Sequence, residues 1–509
     1  MSVKSSRNAW AIALLTAAVG AGLLTAHPAV ALNGSDASNA DFSFAAKVNV
    51  GDRTACSGAL VDVQWVITAA SCFSNAGAPV PSGKPAVKTT VTVGRTDLSE
   101  TTGNVVEAVH LVPHANRDLV MVKLASPVVA VAPVKISTTA PVAGEQLTSV
   151  GFGRTKSEWV PRRAHFASYT VGTVDGGSVA LSPAGDEVLC KGDAGAPALR
   201  RKGTAVELVA VNSRSWQGGC LGTDPSETRT GAVDARVDDV AGWMKQIILA
   251  AVVPDMTEVM TTGDFNKDGR SDIAVVTADG NLHAAYGLPD GTFEYGRPLW
   301  KLDGSWKTFT TIVAGDYNGD GNMDIAAVWG GGSLQLYAGN ADGTLAPAKK
   351  MWSDTFDWRS MLQIARYKVD NSGRDGILAV WNGGSLYGYN TDANGLLTEQ
   401  KRQMWPDASW KGMKIITTGD VNTDTRDDVV GVSPNGYLMR YDGNASGTLN
   451  NGVNIWPDNG WGGIKIYAGD YSGDKKIDLL GRWGTNLNFY KGDGQGTFGT
   501  SIKAWPTLP

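Results

Sequence analysis

The feature that most limits how this chain can fold is a loop that recurs. The pattern Gly-Asp-x-Asn-x-Asp-Gly-x-x-Asp runs from Gly263 to Asp272 and again from Gly315 to Asp324. Weaker copies start at Gly419 and Gly469, and a decayed copy lies around Tyr367 to Gly376. A second marker follows the same rhythm: Trp300, Trp352, Trp405, Trp456 and Trp505. The period is about 50 residues, the range of propellers and solenoids. Between markers come short alternating runs, such as Ile325 to Trp329 and Leu334 to Tyr337, separated by Gly-rich turns. They predict strands. A unit this short cannot bury its apolar face alone, so the copies must stack in a line or close in a ring. Loops and Trps are out of phase, because no marker Trp precedes the first loop and no loop follows Trp505. A ring resolves this if the C-terminal strand completes the blade begun after Pro254, which also removes exposed strand edges. The expectation is a five-bladed β-propeller; a linear stack capped by the preceding domain is the rival.

The texture changes near residue 250. Cys56, Cys72, Cys190 and Cys220 all lie before it, and most of the 17 Trp lie after it. Asp238 to Ala251 reads as an amphipathic helix with Val240, Trp243, Met244 and Ile247 on one face, ended by Pro254. At the start, Lys4 and Arg7 precede an apolar run, Ala11 to Leu24, and a small-x-small site at Ala29-Val30-Ala31. The run is shorter than a membrane span of ~20 residues and reads as a secretory signal peptide. The expected division is a signal peptide over 1–31, a first domain over 32–250, a linker at 251–256 and the repeats over 257–509. Disulfides would persist in an exported protein. A hydrophobic content of 42% excludes a disordered chain. A net charge of -5 argues against nucleic acid as partner.

The acidic loops resemble the FG-GAP/VCBS repeats of integrin-type propellers, a resemblance covering about 250 residues. In that family such loops bind calcium, and the chemistry suits a hard cation. The implied ligand sets are Asp264, Asn266, Asp268 and Asp272, then Asp316, Asn318, Asp320 and Asp324. The weaker loops offer Asp420, Asn422, Asp424 and Asp428, with Thr425 in place of the turn Gly, and Asp470, Ser472, Asp474 and Asp478, with Lys475 there. In the third loop Lys368 and Gly376 break the set. The competing reading is a run of Asx turns bonding only to their own backbone. Trp306, Trp358, Trp410 and Trp461 follow the markers. They suit either packing between blades or stacking on sugar or peptide ligands.

Four segments of the first domain stand out: Cys56 to Cys72, Arg117-Asp118-Leu119, Cys190-Lys191-Gly192-Asp193-Ala194-Gly195 and Ser215 to Cys220. In that order they resemble the segments of trypsin-like (chymotrypsin-family) serine proteases that carry the catalytic His, the acid, the nucleophile loop and the strand that pairs with substrate. Gly151-Phe152-Gly153 and the helix after Arg236 also match. The resemblance implies two six-stranded antiparallel barrels with a C-terminal helix, so that the whole chain is all-β apart from that helix. It also implies disulfides Cys56–Cys72 and Cys190–Cys220. The departures fall on the chemistry. Ser71 stands at the His position and Ala194 at the Ser position, leaving Asp118 as the remnant acid. A methyl group cannot attack a carbonyl, and a carboxylate with no imidazole beside it has none to orient. The backbone N–H groups of Gly192 and Ala194 are the implied oxyanion-hole donors. In the implied substrate cleft, Val188 replaces the acid at the pocket base and Gln217 replaces a Gly, beside Ser215 and Trp216. That favours apolar groups. Ala31-Leu32-Asn33-Gly34 loosely resembles the family's activated N-terminus, whose implied partner is Asp193.

The expected function is therefore a secreted, inactive protease homologue fused to a calcium-stabilised propeller, binding an extracellular protein, peptide or polysaccharide. An active endopeptidase with unusual catalytic residues and a lectin-like propeller are the alternatives.

Overall fold

The computed structural model describes residues 37–52, 54–75, 77–352 and 355–509. The expected signal peptide and residues 31–34 lie outside them. Within the described residues no helix is long and apolar enough to cross a membrane.

Six strands close the first barrel in the order Ala45–Val50, Thr54–Asp62, Trp65–Thr68, Val120–Leu124, Asn104–Pro113 and Thr89–Val93. Residues such as Val48, Leu60, Val66, Val91 and Val122, which share one face of the sheet by register, are fully buried. The second barrel runs Pro197–Lys202, Gln146–Gly151, His165–Asp175, Ser178–Pro183, Ala232–Arg236 and Ala205–Ser215, and the last strand pairs back onto the first. A short strand, Lys135–Ile136, adds to it in parallel. Both disulfides form as the resemblance implies, Cys56–Cys72 and Cys190–Cys220.

The helix spans Ala241–Val252, starting later than its apolar pattern, because Val240 is its N-cap. Its burial also departs from a one-faced reading: Ile248, Leu249, Ala250 and Ala251 are buried along with Met244 and Ile247. The repeats cover its second face. Gln246 donates to the Phe293 carbonyl at 2.8 Å, and Lys245 pairs with Glu294 at 2.5 Å. Residues 251–256, expected as a linker, form the helix end, a 3-10 turn (Val253–Asp255) and the first residue of the next strand. One apolar cluster runs from Trp65 and Met121 in the first barrel through Ile247 to Phe293 and Trp505 in the repeats. The halves share a core.

The repeats form five four-stranded antiparallel sheets, each built from consecutive strands. Their inner strands are Met256–Gly263, Phe309–Gly315, Gln363–Tyr367, Ile415–Gly419 and Lys465–Gly469. They surround a channel of about 490 Å³. Five blades are as expected, but the closure is not. No C-terminal strand joins blade one, whose four strands all lie between Met256 and Pro298. Blade five, Lys465 to Lys503, packs directly against it: Arg482 donates to the Thr257 and Met256 carbonyls, and Ser271 N–H donates to the Asp470 carbonyl at 2.7 Å.

The marker Trps explain the phase. Each ends one blade and packs edge-on against an aromatic of the next: Trp300 on Tyr337, Trp352 on Tyr389, Trp405 on Tyr441 and Trp456 on Tyr490. Trp505 ends blade five and packs on Phe293 of blade one, with ring centroids 5.3 Å apart. Trp306, Trp358, Trp410 and Trp461 are buried against the same four tyrosines. They are packing residues between blades, not ligand platforms.

Candidate functional site

A cleft of about 530 Å³ opens between the barrels. Strand Trp65–Thr68 leads into a 3-10 turn, Ala70–Phe73, which presents Ser71, and the Cys56–Cys72 bridge pins that turn to the neighbouring strand. Asp118 arrives just ahead of strand Val120–Leu124. Its carboxylate accepts three hydrogen bonds: from Ser71 N–H at 2.7 Å, Ser71 Oγ at 2.9 Å and Ser213 Oγ at 2.7 Å. Both oxygens are thus engaged in holding the Ser71 turn to the second barrel.

The loop carrying Ala194 is tied by the Cys190–Cys220 bridge and by Asp193. Asp193 is fully buried; it accepts from Gly153 N–H at 2.8 Å and Cys190 N–H at 2.9 Å, with His165 Nε2 at 3.4 Å. The carboxylate expected to receive a free N-terminus is held by these groups. Gly195 sits at φ +87°, where a Cβ would lie 2.1 Å from the Ser57 carbonyl oxygen and 2.0 Å from Thr68 Oγ1, so only glycine fits. The loop leaves the Gly192 and Ala194 N–H groups without an acceptor among the described residues.

The cleft wall includes Ser71, Gly192, Ala194, Ser215 and Gln217. Two expected lining residues are absent from it. Val188 is buried against Cys190 and Cys220. Trp216 faces outward under the Arg229 guanidinium, 4.2 Å from its ring centroid, because that cation–π contact and the adjacent Gly231 hold it away. Gln217, where a Gly was implied, takes the left-handed conformation at φ +67°. Four cationic residues that the sequence reading passed over also line the cleft: Lys47, Arg154, Lys191 and Arg214. Lys191 and Arg214 stand beside recognisable motifs, but nothing in linear order brings Lys47 to them. Burial pulls the Lys47 ammonium below its ordinary value.

Among the described residues no imidazole bonds Asp118. His110 contacts the Pro509 carbonyl oxygen at 3.3 Å, His114 packs on Trp243, His165 faces Asp193, and His283 bonds Tyr295. Burial pushes His283 down to about 4.

Comparison with known proteins fits this architecture. A trypsin family model matches residues 31–244, and an FG-GAP-like repeat model matches residues 264–327. The chain carries a trypsin-like domain followed by FG-GAP-like repeats. Neuropsin, a serine protease expressed in the limbic system of mouse brain, is a similar solved structure. It is 18% identical over 42% of this chain and 99% of that one, with a TM-score of 0.35.

In the FG-GAP-like repeats the side chains of each acidic loop bond to backbone N–H groups, most of them in the loop itself. Asp264 accepts from Asp268 N–H at 3.1 Å and Gly269 N–H at 2.9 Å, and Asn266 Oδ1 also meets Asp268 N–H. Position nine turns inward. Asp272 is fully buried and accepts from Phe265 N–H and Gly287 N–H, both at 2.9 Å. Asp324, Asp428 and Asp478 do the same with Tyr317 and Gly339, Val421 and Gly443, and Tyr471 and Gly492. Burial pushes Asp272 up to about 8 and Asp324 up to about 6, against the pull of those backbone bonds. Among the described residues no three His, Cys, Asp or Glu side chains gather as a metal site. Thr425 and Lys475 hold the turn at φ +75° and +65° in place of Gly. The decayed third loop has its own device. Arg366 pairs with Asp375 at 2.8 Å and with Asp427 at 3.0 Å, tying blade three to blade four.

Proposed function

We propose that this is an exported, non-hydrolysing trypsin-like domain that binds a peptide segment of an extracellular partner in its cleft, held rigidly on the FG-GAP propeller. One observation carries the reading: the Asp118 carboxylate is bonded to Ser71 and Ser213, with only the Ala194 methyl where a nucleophile belongs. Triad catalysis needs a hydroxyl, an imidazole and an orienting acid in one line. Free oxyanion-type donors support the binding of a peptide carbonyl without attack on it. Two disulfides suit an oxidising compartment. The test is incubation of the full chain with casein, small esters and a fluorophosphonate probe. The expected result is no covalent label and no turnover above buffer; labelling or turnover overturns the proposal.

Calcium is proposed at the first two acidic loops, with Asp264, Asn266 and Asp268, then Asp316, Asn318 and Asp320, supplying the oxygens. Their placement in one tight turn supports it; the inward turn of Asp272 and Asp324 opposes it. Titration calorimetry of the chelator-treated chain with calcium decides: an absence of heat, with no change in melting temperature, rejects the sites. Glycan binding by the propeller draws support from Trp329 and Trp483, which remain 48% and 38% exposed. A glycan array with the full chain, repeated with Trp329→Ala, tests it.

A further inference from the structure

The cleft has a sign. Lys47, Arg154, Lys191 and Arg214 line it, and no Asp or Glu does. Among the described residues none of the four forms an ion pair with a carboxylate. Arg154 stacks on Trp159, 4.2 Å from its ring centroid, and donates to the Leu221 carbonyl. Lys47 is only 9% exposed, a cation most of whose surface is out of water. Beyond Lys47 and Val160 the groove continues to Arg162. The acid nearest in sequence logic, Asp118, is already satisfied by three donors. All of this sits in a chain whose net charge is -5, so the cleft is a positive focus on a negative protein.

We propose that the ligand of this cleft is an acidic peptide segment, its carboxylates meeting Lys47, Lys191 and Arg214 and its main chain meeting the Gly192 and Ala194 N–H groups. This rests on the reading of the cleft as a peptide-binding site and names the chemistry of the peptide. Lys47, a largely buried cation with no ion-pair partner, is costly to hold and gains most from an incoming anion, while the exposed Lys191 and Arg214 add attraction at the surface. The paired backbone donors suit a single peptide carbonyl oxygen, and together with the apolar rim they favour a peptide over a sulfated polysaccharide. Trp159 and Val160, 59% and 74% exposed at the rim, offer apolar contact beside the cations.

The experiment is fluorescence anisotropy of the full chain with a labelled octapeptide of alternating Glu and Ala around a central Phe. The same peptide with Gln for Glu and a heparin octasaccharide serve as comparison probes. The expected result is at least tenfold tighter binding of the Glu peptide than of the Gln peptide, weakening as salt rises from ~0.05 to ~0.5 M. The double variant Lys191→Glu with Arg214→Glu, both exposed and remote from the cores, should lose that preference while keeping its melting temperature. Equal binding of the two peptides overturns the inference and leaves the cleft as a peptide site. Binding of neither peptide overturns the underlying reading too. Heparin binding with neither peptide bound assigns the charge to a polysaccharide and refutes the proposal. If the double variant misfolds, Lys191→Gln alone is measured, with a loss of at least threefold expected for the Glu peptide only.

Discussion

Replacing Asp118 with alanine should destabilise this protein without costing it any activity. In an active protease the equivalent acid serves catalysis; here the carboxylate is a fastener. It accepts bonds of 2.7, 2.9 and 2.7 Å from Ser71 N–H, Ser71 Oγ and Ser213 Oγ, joining the turn of the first barrel to a strand of the second. Hydrogen bonds to a charged group contribute roughly 1.5–3 kcal/mol each in favourable settings. The Ser71 and Ser213 partners line an open cleft, where water replaces part of each bond, so the sum is discounted to about 2–3 kcal/mol. For domains of this size each kcal/mol shifts the midpoint by about 2–4 °C, which places the expected drop at roughly 5–10 °C. Differential scanning calorimetry of the parent and of Asp118→Ala reads it, with an ester hydrolysis assay run alongside. Asp118→Asn, which keeps one acceptor, should fall between them. A variant as stable as the parent to within ~0.5 kcal/mol would mean that the three bonds carry no net stability. Turnover present in the parent and abolished in the variant would show that the cleft is catalytic after all.

Three further outcomes follow from the same geometry. The double change Ser71→His with Ala194→Ser should raise hydrolysis of small activated esters measurably above the parent, since Asp118 and the two N–H donors are in place; inertness in a correctly folded variant would show that the cleft has drifted. Asp234 is fully buried with one hydrogen bond, from Asn212 at 2.8 Å, and burial pushes its carboxyl up to about 7. A folded value above the unfolded one near ~3.9 means that stability is full below about pH 4 and declines as pH rises towards about 7, by roughly 1.4 kcal/mol per unit; Asp234→Asn should flatten that slope in denaturant melts across pH 4 to 8, and an unchanged slope refutes the assignment. Trp505→Ala removes the ring that packs blade five on Phe293 and should cost about 3–5 kcal/mol; hydrogen exchange should rise first in blades one and five, and uniform behaviour would contradict the closure described.

Much of this architecture could be read in linear order because it is written in repeats and spacings. A period of about 50 residues with a Trp at each turn of the pattern specifies blades, since alternating strands of that length must bury one face on the next copy. The ordered motifs around Cys56, Asp118 and Cys190 carry the resemblance that implies the barrels, and Ser71 and Ala194 stand where that resemblance expects His and Ser. Identity also limits inference. The acidic loop spells its residues without saying which of them turn inward, and only the tertiary structure buries Asp272 on the Phe265 and Gly287 N–H groups. The out-of-phase Trps suggest a C-terminal strand completing blade one for a similar reason: a packing contact between the two ends of the ring leaves no trace in strand order. The sign of the cleft came from the tertiary structure entirely. Lys47, Lys191 and Arg214 are far apart along the chain, and a net negative composition hides them. The physical reason is that charge acts through space: barrel closure, which brings distant strands to one groove, decides which cations share a field.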